Sequence, residues 1–261
     1  KHPQFMRFSI ITPTYKRSAQ LLRAVQSAQA QTYKDWEMII VNDSPDDNSY
    51  SSFASSIDDA RIHYHINDIN SGVNASRNKA LDRVSASSEW VIFLDDDDYL
   101  APDTLQELHN LITSHPNKHW FITNRAHKDG TLITHIPEQE TTYSYIRDYL
   151  ILRRCRGDVT HTIRTKALHG IRFPLHVKQG EEWLFFYQLG MRESMFYHDH
   201  NSTISDGYTE TGLNFRKRSR YEQFETLSVL FYEASARGFS YRPTLLMYLF
   251  IRLLRILVKG A

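Results

Sequence analysis

The chain of 261 residues is 41% hydrophobic and 23% charged with a net charge of +1, which excludes a disordered or collagen-like chain and leaves one large domain or two fused lobes. Its single cysteine, Cys155, excludes an internal disulfide and fits a reducing compartment. From Asp35 to Asp103 there are 15 acids against 4 Lys/Arg, and from Arg153 to Ala261 there are 17 Lys/Arg against 10 acids, so the first stretch suits a bound cation and the second suits phosphates or an anionic surface.

Phe8–Ile11 is a short apolar run ended by Thr12-Pro13-Thr14, which predicts a buried strand entering a loop. Ser18 is placed to cap a helix carrying Leu21, Leu22, Val25 and Ala28. Glu37–Val41 predicts a second buried strand, stopped by Asn42-Asp43-Ser44-Pro45. A Ser/Asp-rich loop with a short helix runs to Asp59, Arg61–Ile66 predicts a third strand, Asn74–Val84 a helix, and Trp90–Leu94 a fourth strand. Strands alternating with helices imply βαβ units around a mostly parallel sheet. Ligands of such sheets sit beyond the carboxyl ends of the strands, so the residues just after each strand should converge on one crevice.

Beyond Pro102 the pattern changes. Asp103–Ser114 reads as a helix stopped by Pro116, and Trp120–Ile136 as a hairpin around Asp129-Gly130. Thr142–Arg153 reads as helical, followed by mixed strand and loop through Phe173, and Glu181–Leu189 as an apolar helix. From Tyr221 onward two further helices are expected, broken near Gly238–Pro243. No signal-peptide pattern precedes the first strand, where Lys1–Arg7 lead straight in.

The sharpest chemical feature is Asp95-Asp96-Asp97-Asp98 after the fourth strand. Four adjacent carboxylates repel one another, and a hard divalent cation with oxygen ligands relieves that repulsion. The alternative is a solvated acidic turn ahead of the helix at Asp103. An EF-hand is excluded, because loop position six is Leu100 and position twelve is Gln106. A second carboxylate pair, Glu181-Glu182, precedes Trp183 and opens an apolar helix, where it complements the helix dipole or supplies a base.

Ile10-Ile11-Thr12-Pro13-Thr14-Tyr15, Ile39-Ile40-Val41-Asn42-Asp43-Ser44, Asn70-Ser71-Gly72-Val73-Asn74-Ala75-Ser76-Arg77-Asn78 and Phe93-Leu94-Asp95-Asp96-Asp97-Asp98 follow in order over the first hundred residues. Together they resemble the inverting glycosyltransferase family 2, with Ser76 standing where the family usually has Ala. The resemblance implies the GT-A fold, an α/β architecture with a nucleotide-binding half fused to an acceptor half. It implies that Thr12, Pro13 and Tyr15 line the base pocket, and that Asp43 accepts a hydrogen bond from a uracil or thymine base. Asn74 and Asp96 are counted with the donor-binding residues. Asp95 would hold the ribose, and Asp97 the Mn²⁺ or Mg²⁺ that bridges the diphosphate. Arg77 would reach the diphosphate or brace the aspartates; its alternative is a helix-face ion pair with Asp82 or another acid. The family's general base is the second acid of a Glu-Asp pair, here Glu182, with Glu181 the other candidate. His200, before Asn201-Ser202, resembles a family histidine near the diphosphate and is a candidate metal or phosphate contact. His198 is a lesser one, and His161 a candidate for the acceptor cleft.

Thr244–Val258 is very apolar, with Arg252, Arg255 and Lys259 spaced to share one face. At about 1.5 Å per residue it is too short to span a ~30 Å hydrocarbon core, so it reads as an interfacial helix over 244–259, or as one packed on the core or on a partner. The expected organisation is a GT-A domain over 1–215, divided near residue 100, and a helical C-terminal extension over 216–261. The expected activity moves a sugar from a UDP-sugar or dTDP-sugar to a saccharide or lipid-linked saccharide hydroxyl, in bacterial surface-glycan assembly on the cytoplasmic face of the membrane. No nucleic-acid partner is expected. The competing readings are a non-catalytic nucleotide-sugar-binding scaffold and a phosphatase of the haloacid-dehalogenase type, which carries an aspartate nucleophile where this chain has Thr12-Pro13-Thr14.

Overall fold

The apolar runs of the first half become β1 (Arg7–Thr14), β2 (Trp36–Asn42), β3 (Ile62–Ile66) and β4 (Ser88–Phe93), parallel and ordered β3-β2-β1-β4. The structure is a computed structural model describing residues 6–176, 181–206, 219–236 and 243–258. Crossovers run through α1 (Ser18–Gln29), α2 (Ser49–Ser56) and α3 (Val73–Leu81). Alternate strand residues feed two apolar layers. Ile10, Met38 and Ile40 join one, and Ile11, Ile39 and Val41 join the other, as the period of two requires when both faces are covered. α1 buries Leu21, Ala24, Val25 and Ala28, as the spacing predicted. Ser18 does not cap it: Arg17 is the cap position, and the Ser18 hydroxyl bonds Ser49 instead. α3 stops at Leu81, three residues short of the expectation.

The second half continues the same sheet. β5 (Asp98–Leu100), α4 (Thr104–Ser114), β6 (Trp120–His127), β7 (Thr141–Tyr143), β8 (Val159–Arg164), α5 (Trp183–Gly190) and β9 (Met195–Ser205) follow in chain order. β8 pairs antiparallel with β4 and extends the sheet through β6, β9 and β5 to nine strands. The hairpin expected over Trp120–Ile136 is only a turn: past Asp129-Gly130 the return arm is reduced to a bridge from Ala126 to Leu132. β6 takes its partners from β8 and β9, whose longer ladders outcompete a local return. Thr142–Arg153 is not one α-helix. It divides into β7 and a π-helical turn over Tyr145–Ile151, capped by the Ser144 side chain.

The C-terminal helices are α6 (Arg220–Ala236) and α7 (Pro243–Val258). Leu230 of α6 and Leu245, Tyr248 and Leu249 of α7 join the apolar layer that holds Trp183, Leu184 and Phe185 of α5. Among the described residues no helix is long and apolar enough to cross a membrane. The expected domain boundary near 215 and the residues Gln179, Gly180 and Lys259 lie outside the described residues.

Candidate active site

In a sheet ordered β3-β2-β1-β4 the chain reverses direction at β1, and the crevice opens beyond the carboxyl ends of β1 and β4. The loops meeting there are Tyr15-Lys16-Arg17 after β1 and the aspartate run after β4. The run alternates. The side chains of Asp95 and Asp97 are 37% and 38% exposed, whereas those of Asp96 and Asp98 are 8% and 2% exposed. Between β4 and β5 the run makes a turn, the Asp98 N–H donating to the Asp95 carbonyl at 3.2 Å, and that turn sets two carboxylates outward and two inward.

The inward pair builds the wall. Asp96 accepts from Thr14 Oγ1 at 2.7 Å, from the Tyr15 backbone N–H at 3.3 Å and from Arg17 at 3.2 Å, tying β1 to β4. Its place among the donor-binding residues is therefore corrected to a brace, since both its oxygens face the loop after β1. Asp98 is held by Arg125 of β6. Burial pushes the Asp96 carboxyl up to about 6 and the Asp98 carboxyl up to about 7, the latter against the pull of Arg125.

The outward pair is matched by arginines. Arg17 donates to Asp97 at 2.6 Å, and Arg23 donates to the Asp97 carbonyl at 2.6 Å. Arg77, only 8% exposed, splits its guanidinium between Asp95 and Glu182, each at 2.8 Å. Burial raises the Asp95 carboxyl, Arg77 and then Arg125 pull it down, and the balance lies below the usual carboxylate range. The helix-face alternative for Arg77, an ion pair with Asp82 or another acid, gives way to Asp95 and Glu182, both of which lie off α3, and Asp82 pairs with Arg172. Glu182 opens α5 with its side chain 38% exposed. Glu181, next to it, turns away, its side chain 7% exposed and bound by Arg252 of α7 and by Trp183 Nε1.

Asp43 is buried and ties down the loop before α3. It accepts from Asn67 Nδ2 at 2.7 Å, Ser71 N at 2.8 Å and Gly72 N at 2.7 Å. Three of a carboxylate's roughly four acceptor positions are used, leaving one for a ligand. Thr12 and Pro13 are buried within β1, so the structure brings Tyr15, at 45% exposed, rather than those two to the open crevice. Asn74 is 1% exposed and donates to the Pro174 carbonyl at 3.0 Å, bracing the segment before α5 rather than lining the crevice.

The histidines part from expectation. His200 bonds Ser202 at 2.9 Å and faces Asp103 at 3.4 Å. Asp98 pairs with Ser205 in the ladder, so His200 lies five residues further along β9, roughly 16 Å away at strand rise. Its assignment as a metal ligand beside Asp97 is corrected accordingly. His198 pairs with Glu140. His161 stacks on Phe186 at 3.9 Å and accepts from Trp120 Nε1 at 3.1 Å.

Among the described residues no three His, Cys, Asp or Glu side chains form a metal cage. A Mg²⁺-type ion takes one or two protein carboxylates and fills its octahedron with phosphate and water oxygens. Asp97 and Asp95, outward and adjacent to the switch point, fit that lesser demand.

An α/β crevice with outward carboxylates beyond the end of a strand is what the fold and site define. The model of the family described as Glycosyl transferase family 2 matches residues 9–176, and the chain belongs to that family. WcaA of Escherichia coli K12, named for colanic acid biosynthesis, is 35% identical over 152 residues, 58% of this chain and 44% of the relative. The GalNAc(5)-diNAcBac-PP-undecaprenol beta-1,3-glucosyltransferase of Campylobacter jejuni is 39% identical over 104 residues, 39% of this chain and 33% of the relative. The chain therefore spans less than half the length of these relatives. The crystal structure of S. aureus TarS 1-349 in complex with UDP-GlcNAc superposes with a TM-score of 0.67 at 22% identity, covering 85% of this chain and 64% of that one. The fold is GT-A.

Proposed function

We infer that the chain transfers a sugar, with inversion, from a nucleoside-diphosphate sugar to a saccharide hydroxyl in bacterial surface-polysaccharide assembly. The observation that carries the reading is the Arg77 bridge, which sets an outward carboxylate of the aspartate run and the outward carboxylate of α5 on one guanidinium, each at 2.8 Å. Donor-side and acceptor-side groups are thereby held a fixed distance apart. A donor carrying UDP is favoured, since Asp43 offers an acceptor that suits a uracil imide N–H, and the likeness to a UDP-GlcNAc complex supports it.

In this reading Tyr15 stacks on the base, Asp95 receives the ribose, and Asp97 with Asp95 holds Mn²⁺ or Mg²⁺. When bound, the ion stabilises charge developing on the diphosphate. Glu182 takes the proton of the acceptor hydroxyl, whose oxygen attacks the anomeric carbon opposite the diphosphate. The C–O bond to the diphosphate breaks as the new glycosidic bond forms. One displacement inverts the centre, and the nucleoside diphosphate departs. A positioned base of this kind contributes about 10²–10⁴-fold in rate. Glu181 is the weaker candidate because Arg252 and Trp183 occupy its oxygens.

The acceptor is a saccharide, free or lipid-linked; the name of the Campylobacter relative supports the lipid-linked form. The exposed side of α6 and α7 provides a peripheral contact with the cytoplasmic membrane face. The testing experiment is a screen of nucleotide sugars for Mn²⁺-dependent hydrolysis, with Asp97→Ala beside the wild type. UDP-sugars are expected to turn over, and the variant to lose both turnover and the metal dependence of UDP binding measured by calorimetry. A variant with unchanged metal dependence would remove Asp97 from the ion.

A further inference from the structure

The two carboxylates that open α5 face in opposite directions, and the element that separates them lies outside the stretch matched by the family model. Glu181 adopts φ 63°, a left-handed conformation that glycine tolerates and glutamate does not favour. Such a turn persists only where its surroundings hold it. Three hydrogen bonds converge on its carboxylate: Arg252 donates to both oxygens, with Nη2 at 3.0 Å from Oε1, and Trp183 Nε1 donates to Oε2 at 2.6 Å. A fork-to-fork pairing of this kind fixes orientation as well as charge. Arg252 itself is held, with its guanidinium 5.7 Å from the Trp183 ring and its side chain 22% exposed. Trp183 in turn packs edge-on against Tyr248 at 4.5 Å, and Tyr187 bonds Thr244 at 2.9 Å, so α7 is docked on α5 along two turns.

One residue on, Glu182 returns to helical angles with φ −58° and ψ −21°, and its carbonyl accepts from Phe185 at 2.9 Å. The reversal between the two residues sends Glu182 to Arg77 and the crevice. Without the clamp, a buried Glu181 carboxylate would lose its counter-charge and turn toward solvent, and the start of α5 would turn with it.

We propose that Arg252 is a positioning residue of the transfer site, which by clamping Glu181 fixes the turn that aims Glu182 at the acceptor. The C-terminal helix is then part of the active site, and any contact that shifts α7 alters turnover before it alters donor binding. The proposal rests on Glu182 as the base of the transferase reading above.

The test is steady-state kinetics and thermal melting of the full chain as wild type, Arg252→Met, Glu181→Gln, the double variant and Arg252→Lys. No turnover of any nucleotide sugar by the wild type would remove the transferase reading and this proposal with it, a failure told apart because the variants are never reached. With an active wild type, Arg252→Met is expected to lower kcat at least about tenfold while donor KM stays within about twofold. The double variant should be no slower than Arg252→Met, since one interaction is lost once, and Arg252→Lys should recover part of the rate. A wild-type kcat in Arg252→Met, a raised KM at unchanged kcat, or losses that multiply in the double variant would overturn the proposal. Where Arg252→Met melts below the assay temperature, Glu181→Gln and Arg252→Lys decide: lowered kcat at unchanged KM supports the clamp, and wild-type kcat in both refutes it.

Discussion

Arginines decide which acids of this site are open to chemistry. Arg17 and Arg125 hold the inward aspartates, Arg17 also holds Asp97, Arg77 joins the outward Asp95 to Glu182, and Arg252 withdraws Glu181. The acids were legible in the sequence because they sit in runs. Their partners were not. Arg17 bonds Asp97 across 80 positions, Arg125 reaches Asp98 across 27 and Arg252 reaches Glu181 across 71, and no local pattern signals a long-range guanidinium. Spacing on α7 even pointed the wrong way. Arg252 shares a helical stripe with Arg255, yet it faces α5 because a buried carboxylate waits there.

At the same scale, His161 makes a pH prediction. Burial, with Arg125 nearby, pushes its imidazole down from an ordinary 6.5 to about 3. Between those values the unfolded chain binds a proton that the folded imidazole refuses, so this group's contribution to stability rises with pH through the window and falls as pH drops below 6.5. At pH 5 the gap of 1.5 pH units amounts to on the order of 2 kcal/mol. The raised carboxyls of Asp96 and Asp98 act in the opposite sense over the same window but are common to both proteins, so urea unfolding at pH 7 and pH 5 should leave His161→Gln, which keeps an acceptor for Trp120, better off at pH 5 relative to pH 7 than the wild type by about that amount. Equal pH slopes in both proteins would clear His161 of the effect.

Among the elements, the loop from β3 to α3 shows how sequence becomes geometry. Gly72 adopts φ 89° and ψ 159°, a region essentially confined to glycine, and its N–H reaches Asp43 at 2.7 Å. Gly72→Ala is expected to destabilise the chain by about 1–3 kcal/mol and to weaken UDP binding, because Asp43 loses its fixed orientation. Denaturant titration beside UDP calorimetry checks both; a variant as stable as the wild type would mean that the loop accommodates a Cβ. The strands of the first half were readable as apolar runs with loop residues between them. β9 went unassigned because its centre, His198-Asp199-His200-Asn201, is polar and partly exposed where it crosses the open side of the second half. The π-helical turn over Tyr145–Ile151 was also hidden, since an apolar stretch does not distinguish helix types.

At the scale of the whole molecule, the C-terminal helices leave apolar surface uncovered among the described residues. Phe224 and Phe231 of α6 and Leu246, Phe250 and Leu253 of α7 line an open groove, and Phe250 and Leu257 are 58% and 57% exposed. The buried side of α7 carries Leu245, Tyr248 and Leu249, so truncation would open the core rather than test the surface. The suitable variant is Phe250→Glu with Leu257→Glu. Co-sedimentation with anionic liposomes is expected to pellet the wild type and leave the double variant in solution. Wild-type protein that ignores the liposomes, or a variant that pellets equally, would withdraw the membrane contact. With Arg252 engaged in an ion pair, the electrostatic share falls to Arg255 among the described residues of α7, worth about 1 kcal/mol, and apolar area carries the rest.

The role of Glu182 as the base of a sugar transfer whose donor is held by the aspartate run is tested by comparing Glu182→Gln with Glu181→Gln. Donor Kd by calorimetry and kcat by product formation are measured for each. Glu182→Gln is expected to keep the wild-type donor Kd within about twofold and to lose about 10²-fold or more in kcat. Glu181→Gln should lose less, through a loosened turn. A Glu182→Gln protein that turns over like the wild type, or a full loss found in Glu181→Gln instead, would contradict it.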